Sequence, residues 1–299
     1  MGLGRATFAL VIAVGCGGQS GDSNPARVDA PPGGGTPDAP AVKPDAPPGG
    51  GTPDAPPGTP DAPAVPDAPP GTDKGGGSVT LSQSPTIYTA TASFEQGGNG
   101  CTGSTAGPCQ LFSCAAGSQP TPVSAGTITI SGGQLPAPIT LTPSNTNASY
   151  APGIAAGSAF VGGDVIEVQG SGATVPAFDV TLTAPSSATL VAPALTLSPL
   201  HIDLGADFTV TWTAPANPTG TINLLLTEVT AGATLVGLTC TAPTSGGALT
   251  VTRAVLDNLP AGTGFISIEA RSSKQTSIGD YAVTVITDFE LGSSAAIFQ

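Results

Sequence analysis

Apolar and polar positions alternate along the chain from Val79 onward. Thr86–Phe94 sets Tyr88, Ala90, Ala92 and Phe94 on one side, and Gly126–Ser131 contains Thr-Ile-Thr-Ile. Asp164–Val168 and Phe178–Thr183 alternate in the same way. The pattern pauses over Pro185–Pro199 and then resumes. Asp207–Thr213 aligns Phe208, Val210 and Trp212, and Thr221–Val229, Thr234–Cys240, Ala248–Thr252, Phe265–Ala270 and Tyr281–Thr287 follow. A period of two predicts half-buried strands, and the Gly, Pro, Asn and Ser clusters between them predict turns. No segment keeps a helical period over three turns; Ala254–Leu259, ahead of Pro260, predicts one helical turn.

The expected fold class is therefore all-β. The strand spacing in the C-terminal part fits an immunoglobulin-like or related β-sandwich. Two sandwich modules are expected, a cysteine-containing one over 78–190 and a cleaner one over 191–299. Composition agrees with strands: Val, Ile and Thr are abundant, and aromatic residues are only 4% of the chain.

The first 77 residues read differently. Leu3–Gly15 is a short apolar run behind Arg5, too short to span a bilayer and suited to a signal segment at 1–15. From residue 16 to 77 the chain is dominated by Pro, Asp, Gly and Ala, with six Asp-Ala-Pro triplets starting at Asp29, Asp38, Asp45, Asp54, Asp61 and Asp67. A unit of 16 residues repeats imperfectly, Val28–Lys43 against Pro44–Thr59. With almost nothing large and apolar to bury, this segment is expected to be a disordered tether of polyproline pieces and glycine hinges. Such a segment reaches roughly 190 Å extended and roughly 40–45 Å as a coil.

Ala13-Val14-Gly15-Cys16 resembles the lipobox of bacterial lipoproteins. That resemblance implies cleavage before Cys16, a diacylglycerol on its thiol and acylation of the new amino group. Two or three chains on one cysteine hold a protein at a membrane, whereas one holds it weakly. Gly17, where an aspartate would signal retention in enteric lipoproteins, implies an outer-membrane destination facing the periplasm or the surface. The tether is similar in composition to those common in myxobacterial lipoproteins.

Charge and cysteines narrow the functions. A net charge of −13, from 7 basic and 20 acidic residues, excludes nucleic acid and anionic lipid as electrostatic partners. With Cys16 lipidated, Cys101, Cys109, Cys114 and Cys240 remain. An even number in an oxidising compartment predicts two disulfides with three connectivities open, and a bridge within Cys101–Cys114 would leave the third cysteine for Cys240. Metal is disfavoured because no Cys-x2-Cys pair occurs.

The chemistry-bearing residues are few. His201, the single histidine, would share a strand face with Asp203. A carboxylate pair for glycoside hydrolysis would have to come from Glu95, Asp164, Glu167, Asp179, Asp203, Asp207, Glu228, Asp280, Asp288 or Glu290, none of them in an aromatic setting. Asp203 and Asp207 flank Leu204-Gly205-Ala206 and are the candidate calcium ligands. Trp212 is expected inside rather than on a sugar-binding platform. The reading is a lipoprotein of the cell envelope with a binding or structural role, no catalytic residues and no cofactor. Its expected partners are the membrane, through the anchor, and an envelope or extracellular-matrix component. The alternatives are an exported hydrolase and a calcium- or small-ligand-binding receptor domain.

Overall fold

The computed structural model describes residues 75–97, 101–115, 120–229 and 234–299. The signal segment, Cys16 and the tether as far as residue 74 lie outside the described residues. The first half contributes eleven strands: β1 (Gly75–Gln83), β2 (Ile87–Gln96), β3 (Cys101–Ala106), β4 (Cys109–Cys114), β5 (Thr121–Pro122), β6 (Ile128–Gly132), β7 (Ile139–Leu141), β8 (Gly153–Ala156), β9 (Val165–Gly170), β10 (Phe178–Thr183) and β11 (Thr189–Ala192). The second half adds β12 (Leu200–Ile202), β13 (Phe208–Thr213), β14 (Thr221–Val229), β15 (Leu235–Pro243), β16 (Ala248–Val251), the single-turn helix α1 (Arg253–Leu256), β17 (Gly262–Ile278) and β18 (Tyr281–Phe298).

The strands form three sheets of eleven, four and three members. The large sheet runs β3-β4-β15-β14-β17-β18-β1-β2-β5, with β12 beside β18 and β8 beside β2. The four-stranded sheet, β10-β9-β6-β7, and the three-stranded sheet, β11-β13-β16, each cover a part of it.

Two hydrophobic cores result. Core one packs Val79 and Leu81 of β1, Tyr88, Ala90 and Phe94 of β2, and Tyr281, Val283 and Val285 of β18 against Ile128, Ile130, Ile166, Val168, Phe178 and Val180. Core two packs Ile222, Leu224 and Leu226 of β14, Leu238 of β15, Ile266 and Ile268 of β17 and Phe298 of β18 against Val210, Trp212, Leu249 and Val251. Each is a β-sandwich, so the all-β sandwich class expected from the alternation is the class observed.

The boundary at 190/191 does not divide the large sheet. The tip of the long β17–β18 hairpin, from the second half, pairs with β1 of the first: Gly75 to Gln83 run parallel to Tyr281 to Phe289. Conversely, the β3–β4 hairpin of the first half pairs with β15 of the second, Cys109–Cys114 against Leu235–Cys240. Each sandwich contains a hairpin from the other half of the sequence. Phe289 packs against both cores, its ring 4.8 Å from that of Phe160 in an edge contact.

A bulge makes this sharing work. The β17–β18 register steps from Ile268↔Gly292 to Glu269↔Glu290, leaving Leu291 extra. One inserted residue reverses which side chains of β18 face inward. Odd-numbered Tyr281, Val283 and Val285 enter core one, whereas even-numbered Ala296 and Phe298 enter core two. On β17, Ile266, Ile268 and Ala270 keep one parity throughout, so both cores lie on the same face of the large sheet.

The tether boundary also moves. Gly75, Gly76 and Gly77 belong to β1, not to the linker. The Phe94 ring lies directly over Gly77, where any Cβ would overlap it, and a Cβ on Gly75 would collide with the Glu95 carbonyl. These glycines let an aromatic core side chain close down on the first strand.

Candidate functional site

Both disulfides form, as Cys101–Cys114 and Cys109–Cys240. The sequence left three pairings open; strand register selects one. Cys101 lies directly opposite Cys114 across β3–β4, and Cys109 directly opposite Cys240 across β4–β15. Directly opposed positions bring two Cβ atoms within reach of one bond. The first bridge closes a hairpin, and the second, between residues separated by 131 in sequence, ties the two halves together inside core two.

The face of the large sheet turned away from both cores is rich in hydroxyls. Alternation places Ser78, Thr80 and Ser82 of β1, Thr89, Thr91 and Ser93 of β2 and Thr284 of β18 there. At the bulge this face carries charge. Asp288 lies opposite Ser82 of β1 and Arg271 of β17, and Glu269 lies opposite Glu290. Arg271 Nη2 donates to Glu269 Oε2 at 2.5 Å, Ser267 donates to Glu269 Oε1 at 3.1 Å, and Ser293 donates to Glu290 Oε1 at 2.7 Å. The Arg271 guanidinium thus pairs with Glu269 and pulls on Asp288, while its Nε has no partner among the described residues. Burial, reinforced by the neighbouring Glu269 charge, pushes Asp288 up from 3.8 to about 7, against the opposing pull of Arg271 and a hydrogen bond from Ser82. Sequence reading named Asp288 and Glu290 but not Glu269 or Arg271. Only the β17–β18 register brings those two beside Asp288.

Three of the other acidic candidates serve the backbone, whereas Glu167 and Asp179 accept from the Gln169 side chain at 2.7 and 3.2 Å. Asp203 Oδ1 accepts from the Gly205 amide at 2.8 Å and Asp207 Oδ1 from the Arg253 amide at 2.7 Å, so one closes its own turn and the other holds the start of α1. Asp164 Oδ2 accepts from the Val161 amide at 3.0 Å and from Gln134 at 2.9 Å. His201 is exposed, with its Nδ1 3.4 Å from Gln299 Oε1. Trp212 is buried in core two, and its indole donates to the Thr244 carbonyl at 2.7 Å. Glu228 is also buried, at the end of β14 beside Gly262, and its Oε2 has no partner among the described residues.

Two surface grooves stand out. One, of about 530 Å³, is lined by Thr121, Pro122 and Ser124 and by the turn from Pro143 to Ala148, with no charged residue in its wall. Ala148 holds a left-handed backbone there, at φ 54°. The other, of about 300 Å³, lies between the β3–β4 turn and α1 and is mostly apolar. Neither contains His201 or any of the acidic candidates.

No protein-family model matches the sequence, and no curated protein does. Among solved structures the chain is similar to the chicken CNTN1 FN1–FN3 domains, with a TM-score of 0.20 and 10% identity over 74% of this chain and 64% of that one. The chain therefore spans less than two thirds of that structure. It is also similar to domains 4 and 5 of the S-layer protein SbsC, with a TM-score of 0.14 and 13% identity over 68% of this chain and 82% of that one. Such scores do not establish a shared topology, and the sandwich class rests on the chain's own sheets.

Proposed function

We propose that the chain is a lipid-anchored protein of the bacterial outer membrane, displayed toward the periplasm or the surface, with a non-enzymatic binding or structural role in the envelope. The observation that carries this reading is the disulfide Cys109–Cys240, buried in core two and joining the two halves. Such bridges persist in oxidising compartments outside the cytoplasm. An exported head behind a lipobox cysteine and a proline-rich tether is suited to standing away from a membrane. Its hydroxyl-lined face offers hydrogen bonds to a polar partner such as an envelope polysaccharide.

The test separates anchor from head. Mass spectrometry of the mature chain should find an acylated Cys16 as its first residue, and Cys16→Ser should shift the protein from the membrane fraction to the soluble one. An unmodified Cys16 would remove the anchor. Residues 75–299 applied to arrays of envelope polysaccharides should retain at least one class. Turnover of any such polymer, abolished by His201→Ala, would replace the binding role with a hydrolytic one.

A further inference from the structure

The chain has few asparagines: Asn24, Asn99, Asn145, Asn147, Asn217, Asn223 and Asn258. Only Asn147 is followed two positions on by a hydroxyl side chain, Ser149, without a proline between them. Asn217-Pro218-Thr219 has the hydroxyl but also the proline. Asparagine, any residue but proline, then serine or threonine is the acceptor pattern for N-linked glycans on exported chains.

The fold sets Asn147 apart as well. Asn223 is buried in the large sheet. The Asn258 side-chain nitrogen is occupied, donating to the Ala254 and Val255 carbonyls at 3.0 and 3.1 Å. Asn147, by contrast, is exposed in the turn closed by the Pro143–Tyr150 bridge. Its Oδ1 accepts from the Ser149 amide at 3.3 Å and from the Ser149 hydroxyl at 2.8 Å. These bonds engage the oxygen of the carboxamide and leave Nδ2 without a partner among the described residues. Ala148, between the two, takes the left-handed backbone that a residue with a Cβ adopts at a cost, and so folds Ser149 back over Asn147.

There is also room for a sugar. Asn147 lines the groove of about 530 Å³, whose wall includes the hydroxyls of Thr121, Ser124 and Ser144 and the Asn145 carboxamide, with no charged residue. Neutral donors and acceptors match the hydroxyls of a saccharide, and the volume falls in the range of small-ligand sites.

We propose that Asn147 is a glycosylation site, which takes an N-linked oligosaccharide from a polyprenyl-diphosphate-linked donor through a transferase of the export compartment. Asn147 Nδ2 bonds to the anomeric carbon of the first sugar. The bond from that carbon to the diphosphate oxygen breaks, the lipid diphosphate leaves with the electron pair, and one Nδ2 proton passes to a base of the transferase. The proposal rests on the export argued above, because only an exported chain meets such a donor.

The experiment is glycopeptide mapping of the full chain isolated from the cells that natively make it. Chymotryptic cleavage after Leu141 and Tyr150 releases Thr142–Tyr150. This peptide is expected to carry the mass of one or more sugars, placed on Asn147 by fragmentation. The increment is lost in Asn147→Gln and in Ser149→Ala. It is kept in Ser149→Thr, which restores the hydroxyl, and in Asn145→Gln. An unmodified wild-type peptide overturns the proposal, as does an increment that survives Asn147→Gln or Ser149→Ala. The same sample reports on export separately. An unmodified peptide beside an oxidised Cys109–Cys240 and an acylated Cys16 sinks the glycan alone, whereas free thiols and an unacylated Cys16 sink the export reading with it.

Discussion

The two cores are built to the same plan and held by different means. Core one receives the tip of β17–β18 and keeps it without a disulfide, by its pairing with β1 and by the packing of Tyr281, Val283 and Val285. Aromatic contacts concentrate there: Phe94 meets Tyr150 at 5.8 Å and Phe178 at 6.0 Å between ring centroids. Tyr150 is anchored in turn, donating to the Gly126 carbonyl at 2.8 Å and accepting from the Ala125 amide at 2.9 Å. Core two receives β3–β4 and keeps it covalently, through Cys109–Cys240. Its remaining interior is mostly Leu, Ile and Val. Large aromatic side chains hold the long inserted hairpin, whereas the short hairpin, which buries Phe112 and Cys109 but exposes Thr102–Thr105, is held by a covalent bond as well.

This contrast predicts unequal sensitivities. Replacing both Cys109 and Cys240 by Ala releases a loop of 131 residues, worth about 5 kcal/mol of unfolded-chain entropy. Denaturant midpoints should fall accordingly, while the same change at Cys101 and Cys114, separated by 13, should cost about 3 kcal/mol. Equal losses would mean that the second bridge does not couple the halves. In core one the counterpart is Phe94→Ala, which should cost about 4 kcal/mol by the same measurement and be indifferent to reductant.

Asp288 sharpens the picture at the junction. Its carboxyl holds a proton in the folded chain up to about pH 7 that the unfolded chain releases near 3.8. The folded state therefore binds more protons across that window, and stability falls as pH rises through it. Asp288→Asn should flatten the dependence and raise stability at pH 8 by about 2 kcal/mol. Urea titrations at pH 5 and 8 read both effects, and an unchanged slope in the variant would assign the dependence to another group. The smallest expected effect is at Thr287, fully buried, with a hydroxyl that has no partner among the described residues. Thr287→Val keeps the shape and removes the unpaired group, so the midpoint should rise by about 1 kcal/mol.

Much of the fold was legible in the chain. Phe178–Thr183 and Thr221–Val229 are strands with the bounds that alternation predicts, and the helical turn and the inward Trp212 are both present. What escaped was non-local. β17 and β18 run well past the expected Ala270 and Thr287, because Ser272–Ser277 continues the strand without apolar residues and Leu291 breaks the alternation of β18. β3 and β4 are absent from the strands that alternation predicts, because Thr, Gly and Ser mask strand character that pairing with β15 imposes. The split at 190/191 followed from local composition, and composition carries no record of hairpins crossing between halves. The charged cluster was half visible for the same reason, since Arg271 and Glu269 become neighbours of Asp288 only through register.

The central claim is that the two cores stand or fall together because they share one sheet and exchange hairpins across it. Scanning calorimetry of the Phe94→Ala chain tests this most directly, since that change weakens core one alone. A single endotherm at lower temperature, with calorimetric and van't Hoff enthalpies equal, is the predicted result. Two resolved endotherms, one shifted and one at the wild-type temperature, would contradict it.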